Sequence, residues 1–364
     1  MTPPMHFMLN KCKRLPRYLH LGNLFFKFCK NVAFRFTLKT FGRIYDKNFN
    51  TLGVFVMWFG KFFARTLKPF NQGLLAESDG HKIAYYQYGN PNGKPVLYFH
   101  GGPGGSAKAK YAKLFDLKKY QIIAFDQRGC GNSEYEDLLE ENTSYNTVSD
   151  AKHLLSHLKI NEPVILYGCS WGSTLALLFA EKYPKSVSSI ILNAVFLARK
   201  YDYGWISSES ERFYPDLWEI MRSKVKQNEI LPEYRKLLFS KRKSENLKAL
   251  KYAGSYEYLL GTLEPKFPKL TKVDEKELNS ARIYFYYEKN RYFMKENQIL
   301  QNIGKIKKIK CLILHNRLDF CCPVKQAWDL HKAMPKSKLF IVGDYGHVSA
   351  KLFKHTKKEI AEFL

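Results

Sequence analysis

Three short stretches of this chain combine residue types suited to acyl transfer. The first is Gly168-Cys169-Ser170-Trp171-Gly172. It has the G-x-S-x-G form, follows an apolar run at 163–167 and opens a helical pattern. A serine on such a strand-to-helix turn is a nucleophile. The flanking glycines let the backbone bend tightly, and the helix N-terminus favours negative charge beside the serine. The second stretch is His100-Gly101-Gly102-Pro103-Gly104-Gly105, directly after the run 95–99. Acyl transfer builds an oxyanion, and losing one preorganised N–H donor to it costs about 100- to 1000-fold in rate. The backbone N–H groups of Gly102 and Trp171 fit that donor pair. A phosphate cradle is the competing reading, but the loop lacks the G-x-x-x-x-G-K-[ST] form.

The third stretch is the C-terminal part. An acid and then a histidine must follow the serine in chain order. Asp319 comes after the apolar run 310–315 and fits the acid that orients an imidazole. His347 comes after the run 338–342 and fits the base. Asp344 is the rival acid, but it is too close in sequence to His347 to occupy a separate loop. His315 precedes the acid, and His100 belongs to the glycine-rich loop.

These residues need a scaffold, and the pattern around them supplies one. Residues 74–78 and 82–88 read as a hairpin around Asp79-Gly80. Strand-like runs follow at 95–99, 121–125, 163–167 and 187–193, with helical patterns at 146–159 and 171–183. Such alternation predicts a mostly parallel central sheet covered on both faces. Near residue 200 it stops. A block rich in Tyr, Lys, Glu and Leu runs to about 300, and two buried-strand runs then return. The predicted division is a basic, aromatic extension (1–72), a core (73–199 and 301–364) and an inserted helical block (200–300).

From about residue 73 to 364 the sequence resembles the proline iminopeptidases, α/β-hydrolase aminopeptidases that remove an N-terminal proline. The likeness rests on GNPNGKPVLYFHGGPGG (89–105), DQRGCGNS (126–133), GCSWGSTLAL (168–177), FYPDLWE (213–219), ARI (281–283) and the segment from Asp319 to His347. It implies the α/β-hydrolase fold, a triad of Ser170, Asp319 and His347, and a helical cap at about 200–300. It also implies cap glutamates that bind the substrate's free amine. Here the sequence departs from the family pattern. The position after ARI is Tyr284, and a Trp-Glu pair is replaced by Ser255-Tyr256-Glu257-Tyr258. Glu257 fits the amine-binding role after a one-residue shift, and a solvated helix face is its competing reading. Glu288 lies one helical turn past Tyr284. A buried ammonium without a carboxylate partner is costly. The leading expectation is a peptidase releasing N-terminal proline from short peptides. The alternative is an esterase or lipase-like hydrolase at a membrane. A non-catalytic binding protein is the rival from another class.

Composition narrows the partners. The chain has 364 residues, 45% hydrophobic and 25% charged, a globular balance. Its net charge is +26, and residues 1–72 hold 13 Lys/Arg against one acid, Asp46. On the catalytic part the excess reads as a solvated lysine-rich surface, and no nucleic-acid partner is expected. Residues 11–68 mix Lys/Arg with short apolar aromatic runs. Such a segment fits peripheral contact with an anionic membrane; packing on the hydrolase part or a loose extension are its alternatives. The seven cysteines show no repeated CxxC spacing, and Cys321-Cys322 are vicinal. They read as thiols in a reducing compartment, hence a cytoplasmic protein, at most peripheral on a membrane's inner face. No zinc-ligand spacing appears. The chemistry outlined needs no cofactor, and none is expected. Arg128 is expected to tie loops together, and Cys130 and Cys169 to pack near the pocket.

Overall fold

The computed structural model describes residues 67–225, 230–262, 266–343, 346–347 and 349–364. The extension, with the segment 11–68 expected to contact a membrane, therefore falls almost wholly outside the described residues, as does Asp344. A compact unit spans Thr66–Leu364.

An eight-stranded sheet forms its centre. Its strands are β1 (Asn71–Leu74), β3 (Ala84–Gly89), β4 (Lys94–Phe99), β5 (Tyr120–Phe125), β7 (Val164–Cys169), β8 (Val187–Asn193), β9 (Lys310–Asn316) and β10 (Ser337–Val342). They lie in the order β1-β3-β5-β4-β7-β8-β9-β10. β1–β3 and β3–β5 pair antiparallel, and every later neighbour pairs parallel. Two further strands, β2 (His81–Lys82) and β6 (Glu134–Tyr135), pair with each other. The central strands are apolar because both faces are covered. Alternate residues serve opposite faces: Leu97, Leu166 and Ile313 fill one core, while Val96, Ile165 and Leu312 fill the other.

Helix α1 (Ser144–His157) starts two residues before the predicted helix, because Thr143 Oγ1 accepts the Asn146 N–H and caps it. Helix α2 (Trp171–Lys182) follows β7 directly. The predicted hairpin turns at Asp79-Gly80, where Ser78 bridges His81, but its first strand starts earlier than expected. The pairing uses Asn71–Leu74 against Ala84–Gln87, so the expected boundary at residue 72 cuts through β1.

Between β8 and its neighbour β9 the chain makes a long helical excursion. It comprises α3 (Lys200–Ser207), α4 (Pro215–Arg222), α5 (Ile230–Leu238), α6 (Lys243–Ala249), α7 (Ser255–Leu260), α8 (Glu275–Lys289) and α9 (Gln298–Gln301). α10 (Lys325–Ala333) then separates β9 from β10, and α11 (Ala350–Phe363) closes the chain. Among the described residues no helix is long and apolar enough to cross a membrane.

Candidate active site

Ser170 sits between β7 and α2 with φ 56° and ψ −128°. That backbone region is strained for a residue with a side chain and persists only where the surroundings enforce it. Here close packing does so. A Cβ on Gly168 would collide with the Gly172 carbonyl, and one on Gly172 would collide with the Phe99 carbonyl. Only glycines let β7, α2 and the end of β4 approach this closely.

The glycine-rich loop leaves β4 beside this turn. A Cβ on Gly101 would lie 3.3 Å from Ser170 Cβ. Gly102 has φ 135°, in the region that favours glycine. Trp171 is the first helical residue of α2, so no intrahelical carbonyl takes its backbone N–H. Gln127 joins the two segments. Its amide nitrogen donates to the His100 carbonyl at 2.8 Å, and its side-chain oxygen accepts the Trp171 indole N–H at 3.1 Å. The Gln127 backbone N–H donates to His100 Nε2, while Nδ1 lies 2.8 Å from the Gly101 carbonyl. His100 must then be neutral with its proton on Nδ1, and burial lowers its pKa accordingly. Asp126 secures the loop's far end, accepting from Ala107 N–H at 2.7 Å and Asn132 N–H at 2.9 Å.

Asp319 and His347 come from the segments after β9 and β10. His347 Nδ1 lies 2.7 Å from Asp319 Oδ2. The other carboxylate oxygen accepts the backbone N–H groups of Cys321 (3.0 Å) and Cys322 (2.7 Å). Burial raises the Asp319 pKa, but the charge and hydrogen bond of His347 outweigh it and hold the carboxyl below its usual range. Burial likewise opposes charge on His347, and Asp319 outweighs it, so the imidazole is pushed above its ordinary value. Asn316 was not singled out from sequence. Its amide donates to the Gly346 carbonyl at 2.5 Å and so holds the residue before His347. On the other side the His347 segment meets the helical excursion: a Cβ on Gly261, after α7, would stand 3.2 Å from His347 Cβ. His315 is fully enclosed. Its Nδ1 accepts the Val195 N–H and its Nε2 lies 2.6 Å from the Cys322 carbonyl, so it keeps a neutral ring.

A cavity of about 560 Å³ opens between the glycine-rich loop and the helical excursion. Gly102 to Ser106 line one side, and Glu257, Tyr284 and Glu288 line the other. Glu257 is half-buried in this wall, not on a solvated helix face. Burial pushes its carboxyl up to about 7 despite the nearby His347. Cys321 Sγ lies 3.4 Å from its Oε1, and no Lys or Arg pairs with it among the described residues. Glu288 instead has Arg235 at 3.7 Å. Tyr284 is a neutral phenol, since burial raises its pKa well above the ordinary value.

Cys130 and Cys169 pack beside the site without lining the cavity: Cys130 adjoins Gly131, which lines it, and Cys169 precedes Ser170. The Cys130 thiol donates to the Arg128 carbonyl, and Cys169 packs in the core on the other face of the sheet. Burial pushes Cys169 up to about 12, so it is no nucleophile. Arg128 is a tie: its guanidinium grips both oxygens of buried Asp150, at 2.7 and 2.8 Å, and donates to the Glu141 carbonyl.

Residues 94–351 match the family described as alpha/beta hydrolase fold. A proline iminopeptidase of Arabidopsis thaliana is 38% identical over 289 residues, covering 77% of this chain and 76% of that protein. The chain belongs to the proline iminopeptidase family. A probable proline iminopeptidase of Leptolyngbya boryana is also 38% identical, over 77% of this chain and 89% of its own. Solved structures carry the likeness at the level of fold. A Bacillus anthracis bromoperoxidase superposes with a TM-score of 0.56 at 16% identity, over 80% of this chain and 99% of its own. An Exiguobacterium antarcticum esterase gives 0.55 at 19%, with the same two coverages. Tyr284 and the stretch that holds Glu257, where the sequence departs from the expected family pattern, both line the cavity.

Proposed function

We propose that this protein is a serine aminopeptidase that releases N-terminal proline from short peptides. The observation that carries the reading is Glu257. Among the described residues it is a carboxylate with no Lys or Arg partner, and it faces the same cavity as the glycine-rich loop. An enzyme that cuts next to a free amine needs an anion at a fixed distance from its oxyanion donors.

In this reading His347 takes the Ser170 hydroxyl proton as the oxygen attacks the proline carbonyl carbon. The backbone N–H groups of Gly102 and Trp171 stabilise the oxyanion. Asp319 holds the imidazole with its proton on Nδ1 and stabilises the imidazolium. His347 then gives the proton to the leaving amine, and water, activated by the same imidazole, frees proline from Ser170. Glu257 holds the substrate ammonium. No cofactor enters these steps.

A second reading, an esterase, is favoured by Tyr284, which puts a neutral phenol where the family resemblance implies a carboxylate. The deciding measurement compares amine release from prolyl and alanyl amides with hydrolysis of short acyl esters. Prolyl preference supports the aminopeptidase, and activity on esters alone rejects it. For the basic, aromatic segment 11–68 we propose peripheral contact of a cytoplasmic enzyme with an anionic membrane. Deleting residues 1–70 must then abolish co-sedimentation with anionic vesicles.

A further inference from the structure

Two thiols stand beside the proposed base and take no part in the reaction above. Cys321 and Cys322 are 1% and 2% exposed, and neither is oxidised. One donor atom from each of Cys321, Cys322 and His347 falls within 4.8 Å of the other two. A fourth donor adjoins them, because Glu257 Oε1 lies 3.4 Å from Cys321 Sγ. Two sulfurs, an imidazole nitrogen and a carboxylate oxygen make a set that suits a thiophilic divalent cation. Zinc places its donors about 2.0–2.3 Å away, so neighbouring donors stand roughly 3.5–3.8 Å apart. The three mutually close donors need side-chain movements to reach that spacing, and Glu257 approaches them from beside Cys321. Sequence spacing conceals the set: the vicinal cysteines and the histidine sit on different loops, and the glutamate is on a cap helix.

We propose that Cys321, Cys322 and His347, with Glu257 as fourth donor, form an inhibitory site for a thiophilic divalent cation such as Zn²⁺. Glu257 lines the 560 Å³ cavity and adjoins Cys321, so a metal in the cavity would reach the site past this carboxylate. The two thiols lose their protons to solvent as the metal–sulfur bonds form, and a protonated His347 loses one as well. No electron is transferred. Binding therefore strengthens as pH rises. A ring nitrogen bound to the metal is no longer available as a base, whichever nitrogen it is. The bound metal also occupies the carboxylate proposed to hold the substrate amine. The binding step stands on the donors alone, whereas the inhibition rests on the role given to His347.

The test separates the two parts. The full-length protein is titrated with Co²⁺ and, separately, with Zn²⁺ in competition. The expected result is thiolate-to-Co²⁺ charge-transfer absorption that Zn²⁺ abolishes. In parallel, Zn²⁺ should suppress hydrolysis of the best substrate, and a chelator should restore it. Cys321→Ser and Cys322→Ser, singly and together, are each compared with their own chelator-treated activity. Each single change should weaken metal binding about 10- to 100-fold and raise the inhibitory Zn²⁺ concentration in step. Absence of the thiolate band in the folded wild type overturns the site. Equal zinc sensitivity in the wild type and a folded single variant also overturns it. A bound metal that leaves hydrolysis untouched overturns the inhibitory role.

Discussion

Asp319 Oδ2 lies 2.7 Å from His347 Nδ1, and this contact joins the segments after two neighbouring parallel strands. Asp319→Asn keeps the size but loses the charge that fixes the imidazole tautomer. It should lower kcat about 10⁴-fold while far-ultraviolet circular dichroism stays unchanged. A variant within tenfold of wild type would remove Asp319 from the mechanism.

The same pair sets the pH profile. His347 acts as base only when neutral, and its pKa is raised. Activity should therefore fall as pH drops through a midpoint above the ordinary imidazole value of about 6.5. The linkage to stability runs the other way. The raised pKa contributes stability in full below about 6.5, and the contribution fades as pH rises through the folded value. The acid limb of kcat/KM on an ester reads His347 without the substrate amine. An acid limb below 6 would contradict the assignment.

Glu257, pushed up to about 7, is anionic only above that pH. Glu257→Gln should lower kcat/KM for a prolyl amide about 10- to 100-fold, the worth of a charge-assisted hydrogen bond. Ester hydrolysis should change little. An equal loss on both substrates would show that Glu257 does not read the amine.

Arg128 and Asp150 are 1% and 2% exposed and lie 2.7 Å apart. Arg128→Ala leaves a buried carboxylate alone and should cost roughly 3–5 kcal/mol in urea unfolding. Arg128→Ala with Asp150→Ala should cost less than the single change. A larger loss in the double variant would refute the pairing argument.

Gly172→Ala should destabilise by about 3 kcal/mol, since the new methyl must displace the β4 backbone at Phe99. An unfolding midpoint equal to wild type would show that the turn has slack.

The chemistry in this chain was legible where backbone geometry dictates residue type. Glycines at 168 and 172 are demanded by contacts that admit no side chain, so the motif marks the turn directly. Strands β4, β7, β8 and β9 were visible because both faces are buried, which makes their runs apolar. The turn at Asp79-Gly80 was legible from its turn residues, but the first strand of that hairpin was placed too late, because β1 is exposed and lacks that signature. Asn316, Gln127 and the Cys321–Glu257 contact were hidden for another reason. Each acts across elements distant in sequence, and nothing in a single polar residue tells which remote backbone it will meet. Glu257 was the middle case. Its type was suggestive, but only the packing of α7 decided between solvent and cavity.

The approach of Gly261 to His347 has an implication for how this enzyme can change. Gly261 closes a helix of the substrate-facing wall, and His347 is the proposed proton carrier. A Cβ at Gly261 would stand only 3.2 Å from His347 Cβ, so little room is left between them to absorb a shift. A mutation that reshapes the wall for a larger acyl group would therefore also re-aim the imidazole. Substrate range and turnover are mechanically linked at this point. New specificities should arise more readily through α8 at Tyr284, on a different helix of the same wall, than through α7.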